Sequence, residues 1–362
     1  MSVLTILAVL LALYCLSGRL LTRQGLSGLQ CTRAFSRPAV FEGETGEMVE
    51  VVRNDRPMLI PWLRVESHIS PHLQLGRQDN LHVSGSRYYS SLFTLMPYQQ
   101  VKRRHRVRFL RRGVYDLGNA SLSVGDVLGF FQASREQMMH VPVLVFPRLL
   151  DERELPQPLS LMLGEIASRR QLLTDPFLVR GIRGYQIGDP VRDIHWPATA
   201  RMGETQVRVF DHTARIRLMV ILNVQRKDAQ WGDHLMDYEE GEIEYGISVA
   251  ATMCIRALRS GLSAGFAANM PLGEEKVSTV LLPGGGAARE EELLTAFARL
   301  TILRTLSFPL FLETLTDLTD MDIVVLSCYD SEEIQAGLAR LRRQGNQVML
   351  HILERIQQGG AA

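Results

Sequence analysis

The sequence predicts an α+β chain of several domains: an N-terminal membrane helix, an antiparallel β-sandwich and a doubly wound α/β/α domain. The chain opens on an uncharged apolar run, short strands separated by turn residues follow, and buried strand-like runs then alternate with helical patterns. We expect the membrane helix over residues 1–22, the sandwich over 38–147, a linker with a signature loop over 148–212, and the α/β domain over 213–355.

Length and composition limit the classes of function. A chain of 362 residues can bury the cores of two domains. Its net charge of +1 argues against a general nucleic-acid binder, which would carry a strongly basic domain. The cysteines lack the spacing of a zinc site, so we expect buried free thiols in a reducing compartment. They are Cys15, Cys31, Cys254 and Cys328.

The first 18 residues carry no charged side chain. The apolar run from Val3 to Leu16 is short beside the ~20 residues of a spanning helix, but Leu20 and Leu21 extend it across Arg19. Positive charge follows the run, so the positive-inside bias predicts a single-pass anchor with the domains on the cytoplasmic side. A buried or cleaved N-terminal helix is the alternative.

The predicted sandwich contains a basic run, "KRRHRVRFLRR". Four of its basic residues share one parity and would point to the same side of a strand. Such a stripe is either a solvated face or a contact for anionic lipid headgroups. The four are Lys102, Arg104, Arg106 and Arg108.

Residues 147–179 read as a linker with one short helix, and the α/β pattern follows. "RIRLMVILNV", residues 215 to 224, predicts a strand buried on both faces. Near the C-terminus, Asp330 and Glu333 have capping-box spacing at the start of a helix that Gly345 ends.

A metal site is not expected at the end of the first strand of this domain. Asn223, Gln225 and Lys227 occupy the positions where a metal-dependent adhesion site has Asp-x-Ser-x-Ser. A hard divalent cation needs oxygen ligands that usually include carboxylates, and Lys227 would place a positive charge where the metal should lie. The sequence also lacks a P-loop, a Gly-x-Ser-x-Gly elbow and an HExxH motif, so we expect neither metal nor cofactor.

The most unusual passage is "RGIRGYQIGDPVRDIHWPATARMGE", residues 180–204. Its arginines can form bidentate pairs with carboxylates or phosphates, and Asp189 and Asp193 can neutralise some of them. An enzyme would use His195 as an acid or base and the arginines as an anion clamp. A structural or partner-binding loop would instead pair arginines with aspartates and pack Trp196 beneath. The lack of a supported nucleophile favours this second interpretation.

This passage resembles the signature of the bacterial domain-of-unknown-function family 58, approximately R-x-Y-x-x-G-D-x-x-R-x-I-H-W-x-x-x-A-R. The matching residues are Arg183, Tyr185, Gly188, Asp189, Arg192, Ile194, His195, Trp196, Ala200 and Arg201. An upstream segment is similar to the family's sandwich motifs through Arg112, Gly113, Tyr115, Asp126, Gly129 and Phe131.

The resemblance implies an N-terminal membrane region, an Ig-like β-sandwich and a domain similar to von Willebrand factor type A. It also implies a MoxR-type AAA+ ATPase as protein partner. Many relatives have two membrane helices and more of the metal motif than this chain has. We therefore expect a non-enzymatic scaffold or adaptor in the inner membrane that binds this partner through the type A-like domain, with the signature loop as a clasp or a binding surface. An enzyme or anion-binding module centred on residues 180–208 is the alternative.

Overall fold

The computed structural model describes residues 3–76, 81–84, 88–172, 179–210, 216–227 and 237–353. Both helices and strands are present, so the α+β class is confirmed. The chain divides into two compact units, Met1–Arg148 and Leu149–Ala362.

The described part of the first unit consists of one helix and a series of strands. The helix is α1 (Val3–Gln24). The strands are β1 (Leu29–Phe35), β2 (Ala39–Phe41), β3 (Thr45–Asn54), β4 (Ile60–His68), β5 (Leu73–Leu75), β6 (Leu81–Ser84), β7 (Tyr88–Leu95), β8 (Gln100–Phe109), β9 (Gly113–Asp116), β10 (Ala120–Gly125), β11 (Gln132–Gln137) and β12 (Pro142–Phe146).

These strands form an antiparallel sandwich with a small third sheet. One sheet has the order β1-β3-β8-β5 and the other β11-β10-β4-β7-β6. Their inner faces share a core in which Leu29 and Val52 of the first sheet pack with Leu63, Phe93 and Leu122 of the second. The third sheet, β2-β12-β9, contains one parallel pair, β2 with β12.

The alternation of β8 follows its sequence. His105, Val107 and Phe109 are buried, and the basic residues between them are exposed. The prediction that the four basic side chains share one face is therefore confirmed. Glu47 of β3 lies 3.7 Å from Arg104 of this stripe.

A buried polar network crosses the core of the sandwich. The Nε atom of Arg33 donates to Glu50 at 2.8 Å, and Arg33 also donates to Ser67. The hydroxyl of Tyr89 donates to Glu50 at 2.8 Å and lies 3.0 Å from Nε2 of His105. Burial alone would raise the pKa of Glu50, but hydrogen bonds from its partners outweigh burial, so this pKa lies below its usual value.

Helix α1 exposes large apolar side chains along its length, among them Val3, Leu7, Leu11 and Leu16. Among the residues that the structure describes, no helix combines the length and the apolarity needed to cross a membrane.

The second unit alternates helices and strands. Its elements are α2 (Gln157–Leu172), β13 (Val179–Gly184), α3 (Trp196–Met202), β14 (Gln206–Phe210), β15 (Arg217–Leu222), α4 (Asp237–Arg259), β16 (Ser263–Ala268), β17 (Thr279–Gly284), α5 (Ala287–Arg299), α6 (Phe308–Thr314), β18 (Asp322–Ser327), α7 (Glu332–Arg343) and β19 (Gln347–Ile352).

A five-stranded sheet of order β17-β16-β15-β18-β19 organises this unit. All neighbours are parallel except β16 and β17. Helices α2, α4 and α5 contribute to the core on one face of the sheet, and α6 and α7 to the core on the other. The first strand, β15, lies at the centre and is buried over Leu218–Leu222, as its continuous apolar run predicts.

Two local expectations need correction. The segment expected to be a linker with one short helix contains the 16-residue α2, whose Leu159 and Ile166 are fully buried in the core of the second unit. Pro158 does not break this helix because proline is tolerated in a first turn. The cap of α7 is Ser331 rather than Asp330, since the Ser331 side chain accepts the N–H of Ile334.

Candidate functional site

The passage singled out in the sequence folds as one unit, which we call the signature hairpin (residues 179–210). Strands β13 and β14 pair antiparallel, with Gly184 opposite Gln206. The chain between them forms a 3₁₀ turn (Val191–Asp193) and helix α3. The side chains of Arg180, Val209 and Phe210 lie outside the described part.

Arg183 and Asp189 form a bidentate pair inside the hairpin. Both guanidinium Nη atoms donate to the carboxylate, at 2.7 and 2.6 Å, and the same carboxylate accepts the N–H of Gln186 at 2.8 Å. Gly188 has φ +108°, a conformation that favours glycine, and this lets the loop turn back onto Arg183. The hydrogen bonds from Arg183 hold the pKa of Asp189 below its usual value.

His195 caps helix α3. Its side-chain Nδ1 accepts the backbone N–H of Ala198 at 3.0 Å, and the backbone N–H of His195 donates to the carbonyl of Gln206 at 2.7 Å. The hydroxyl of Thr199 joins the same elements, because it donates to the His195 carbonyl and accepts the N–H of Gln206. Gly203, with φ +70°, ends the helix. His195 therefore orders the loop, and its Nδ1 is engaged in the cap.

Six large apolar side chains of the hairpin are exposed, and we call this set the hairpin face. Trp196 is 64% exposed, which corrects the expectation that it packs beneath the loop. Ile194 is the buried residue of this turn instead, bridging to Val207. The hairpin face consists of the exposed side chains Ile182, Tyr185, Ile187, Val191, Trp196 and Met202.

Two arginines of the hairpin are exposed as well. The Arg192 side chain is 86% exposed, and its Nε lies 3.7 Å from Asp193. Arg201 is exposed on α3, and within the described part of the chain it has no hydrogen-bond or ion-pair partner. Among the signature arginines, Arg183 pairs with Asp189 within the hairpin, whereas the side chains of Arg192 and Arg201 are exposed to solvent.

At the strand ends, the positions of the degenerate metal motif form a neutral network. Buried Asn223 donates to the Ser327 hydroxyl at 3.0 Å and accepts the N–H of Gln225 at 2.9 Å. Asn269 accepts the N–H of Val224 at 2.9 Å. The sequence analysis did not single out Asn269 and Ser327, although Asn269 directly follows β16 and Ser327 ends β18. The donors are amides and a hydroxyl bonded to one another, a set that suits internal hydrogen bonding rather than a divalent cation.

Lys227 is exposed and does not enter this network. In the described chain no group of three His, Cys, Asp or Glu residues is placed to hold a metal ion.

The enzyme alternative requires a concave pocket with unpaired guanidiniums. Two clefts on the second unit, of about 600 and 350 Å³, are lined by residues outside the hairpin, the larger by the start of α2 with Tyr245 and His351.

Burial raises the pKa of Cys254 to about 12 and that of Cys328 to about 11, so neither thiol is an activated nucleophile.

Replacing Asp189 with asparagine should loosen the turn at residues 185–190. The variant removes the charged acceptor of Arg183 and Gln186, so we expect faster amide hydrogen exchange at Gln186. Because the pKa of Asp189 is lowered in the folded chain, its contribution is present above the ordinary aspartate pKa of about 4 and lost as the pH falls below it. The matched control is Asp193→Asn, and equal exchange in both variants would contradict the assignment.

Residues 181–297 match a family model described as "Protein of unknown function DUF58". No curated protein matches the chain.

Solved structures match about a third of the chain. They include a Salmonella alpha-2-macroglobulin variant (15% identity, TM-score 0.27, covering 33% of this chain and 9% of that one). They also include the CARDB domain of a Pyrococcus furiosus protein (14% identity, TM-score 0.20, covering 32% and 93%). A third is a type I cohesin from Pseudobacteroides cellulosolvens (13% identity, TM-score 0.22, covering 34% and 96%). The chain thus spans under a tenth of the first of these, and TM-scores this low do not establish a shared fold.

Proposed function

We propose that this chain, whose residues 181–297 match the DUF58 family model, is a membrane-attached, non-enzymatic adaptor that binds a partner protein through its second unit. The hairpin face supplies the binding surface. The observation that carries this proposal is the exposure of Trp196 and the other apolar side chains of the hairpin face, together with two exposed arginines of the same hairpin.

The composition of the hairpin face fits protein recognition. Contiguous exposed apolar side chains on a soluble domain mark interaction sites. Tryptophan, tyrosine, methionine and arginine are also the residues enriched at interfaces and their hot spots. The hairpin beneath is rigidly built, through the Arg183–Asp189 pair and the His195 cap, so little ordering cost attends binding.

A MoxR-type AAA+ ATPase is the proposed partner, as the family resemblance implies. Arg192 and Arg201 favour an acidic patch on that partner. The strand order β17-β16-β15-β18-β19 with one antiparallel edge supports a type A-like domain. Because neutral amides such as Asn223 fill the metal positions, the partner is held by side chains rather than through a bridging cation.

Helix α1 is proposed to attach the chain to the inner membrane, with the Ig-like sandwich and the type A-like domain on the cytoplasmic side. Its uncharged, exposed N-terminal part and the arginines that follow it support this arrangement. The enzyme or anion-binding alternative has less support. The Nδ1 of His195 is engaged as a cap, and the outward arginines lie on an exposed surface.

The test is capture of the partner by hairpin-face variants of the full chain. Trp196→Ala and Arg201→Glu should each weaken binding of the MoxR-type ATPase by roughly 30-fold, the loss of a hot spot of about 2 kcal/mol. Folding should be unchanged, since Trp196 is largely exposed and Arg201 has no partner in the described chain.

Val277→Ala is the matched control, because Val277 is also an exposed apolar side chain of the second unit. Undiminished capture by both hairpin-face variants would rule out this surface. If no ATPase is captured by the parent chain, the proposed partner is wrong.

A further inference from the structure

We propose that the end of the β-sandwich next to α1 rests in a lipid surface, which it contacts through apolar side chains of three turns. This inference rests on the proposed attachment of α1 and assigns the sandwich its own membrane contact. The contact residues, which we call the apolar rim, are Leu59, Met96, Tyr98, Val127, Leu128 and Phe130.

Strand register places the three turns at one end of the sandwich. Ile60, at the start of β4, lies opposite Leu95, at the end of β7. Two residues further along β4, Trp62 lies opposite Gly125, where β10 ends. The β3–β4, β7–β8 and β10–β11 turns therefore emerge together. The chain leaves α1 at this end too, since Leu29 pairs with Asn54, the last residue of β3.

Helix α1 packs against the β10–β11 turn. The Tyr14 ring lies 6.4 Å from that of Phe130 and 5.8 Å from that of Phe131, and its hydroxyl donates to Asp126. Gly18 lies so close to the Phe131 ring that a Cβ at this position would collide with it. The turn is thus fixed beside residues 14–18 of the helix.

The single charge of this turn is internally satisfied. The Asp126 carboxylate accepts the N–H groups of Phe131 at 2.7 Å and Leu128 at 3.2 Å, in addition to the Tyr14 hydroxyl. Val127, Leu128 and Phe130 point outward with exposures of 77%, 66% and 78%. The turn therefore offers an apolar surface without an unpaired charge.

The length of the exposed part of α1 predicts how deeply the helix enters the lipid. Residues 3–13 of α1 precede the residues that contact the turn, and every described side chain among them is exposed. At 1.5 Å per residue this part is roughly 16 Å long, close to half of the ~30 Å hydrocarbon core. When it enters the lipid, Tyr14 and the apolar rim lie at the interface, where aromatic side chains are favoured.

The occupant of this surface is lipid rather than a protein groove. A groove covers one stripe of a helix, whereas α1 exposes apolar side chains on all sides, including Leu7, Val9, Leu10 and Leu11. A bilayer can cover the whole circumference together with the neighbouring turns.

The experiment uses the full chain with liposomes of neutral phosphatidylcholine, so that the basic stripe on β8 gains no headgroup attraction. Tryptophan is introduced as Phe130→Trp or Met138→Trp, and quenching by brominated lipid is measured relative to the parent chain. Met138 is the matched control, because it is exposed beyond the opposite end of the β10–β11 pair. We expect quenching at position 130 and none at 138.

A second variant measures the contribution to binding. Leu128→Asp should lower liposome partition roughly tenfold, and Met138→Asp should not. If the parent chain floats with liposomes but position 130 is not quenched, α1 attachment stands and the apolar rim is wrong. If the parent chain does not float, both fail. Self-association that depends on Phe130 without lipid quenching would assign this surface to a second copy and overturn the proposal.

Discussion

Replacing Arg33 with methionine is expected to lower the free energy of unfolding of the β-sandwich by about 3–5 kcal/mol. Arg33 and Glu50 are both fully buried, so the variant leaves a carboxylate in the core without its cation. The Arg33 guanidinium does not use all of its hydrogen-bond donors. Its Nη2 lies 2.7 Å from Glu50 yet has no hydrogen-bond acceptor, so its desolvation is only partly repaid. The measurement is urea unfolding of the full chain, followed by near-UV signals of the sandwich.

The double variant R33M/E50L separates two free energies: the cost of leaving Glu50 charged without Arg33, and the net contribution of the ion pair to stability. It removes both charges from the core, and we expect it to recover most of the stability that R33M loses. Tyr89 and His105 still contact each other in this variant. Additive losses in the double variant would show that the pair itself is strongly stabilising.

Replacing Asn269 with alanine is expected to cost the α/β unit about 2–5 kcal/mol, because one buried and one partly buried backbone group lose their partner. Asn269 is fully buried, accepts the N–H of Val224 at 2.9 Å and donates to the carbonyl of Leu306 at 3.1 Å. The matched control is Gln335→Ala, which removes an exposed amide bonded to Asp330 and should cost under about 0.5 kcal/mol.

Mg²⁺ gives this prediction a second readout. If the strand ends are a neutral hydrogen-bond network, the ion should leave the melting temperature of the parent chain unchanged. A loss below about 1 kcal/mol in the Asn269 variant, or stabilisation of the parent chain by Mg²⁺, would contradict the network as the replacement of a metal site.

Patterns that depend on burial were visible in the sequence. The alternation of basic and apolar residues in β8 predicted one exposed stripe, and the continuous apolar run of β15 predicted a central strand. Both follow from side-chain periodicity, which the chain must satisfy locally. The signature motif likewise marked the residues that build the hairpin.

What the sequence left open depends on contacts distant along the chain. Trp196 precedes Pro197 at the start of α3, and only the strand pairing shows that Ile194 takes the buried place. Asn269 and Ser327 meet Asn223 because three strands end together, and no local pattern links positions so far apart. The sequence did not show the length of α2, because proline suggests a break in a helix although the first turn of a helix tolerates it.

Crosslinking is the most direct test of whether the hairpin face binds the partner. A photo-reactive phenylalanine analogue is placed at Trp196 or, as control, at Val277 in the full chain, and native membranes are irradiated. We expect a crosslink from position 196 to an AAA+ ATPase and none from position 277. A crosslink from 196 to residues 38–147 of the same chain, or equal labelling from both positions, would contradict it.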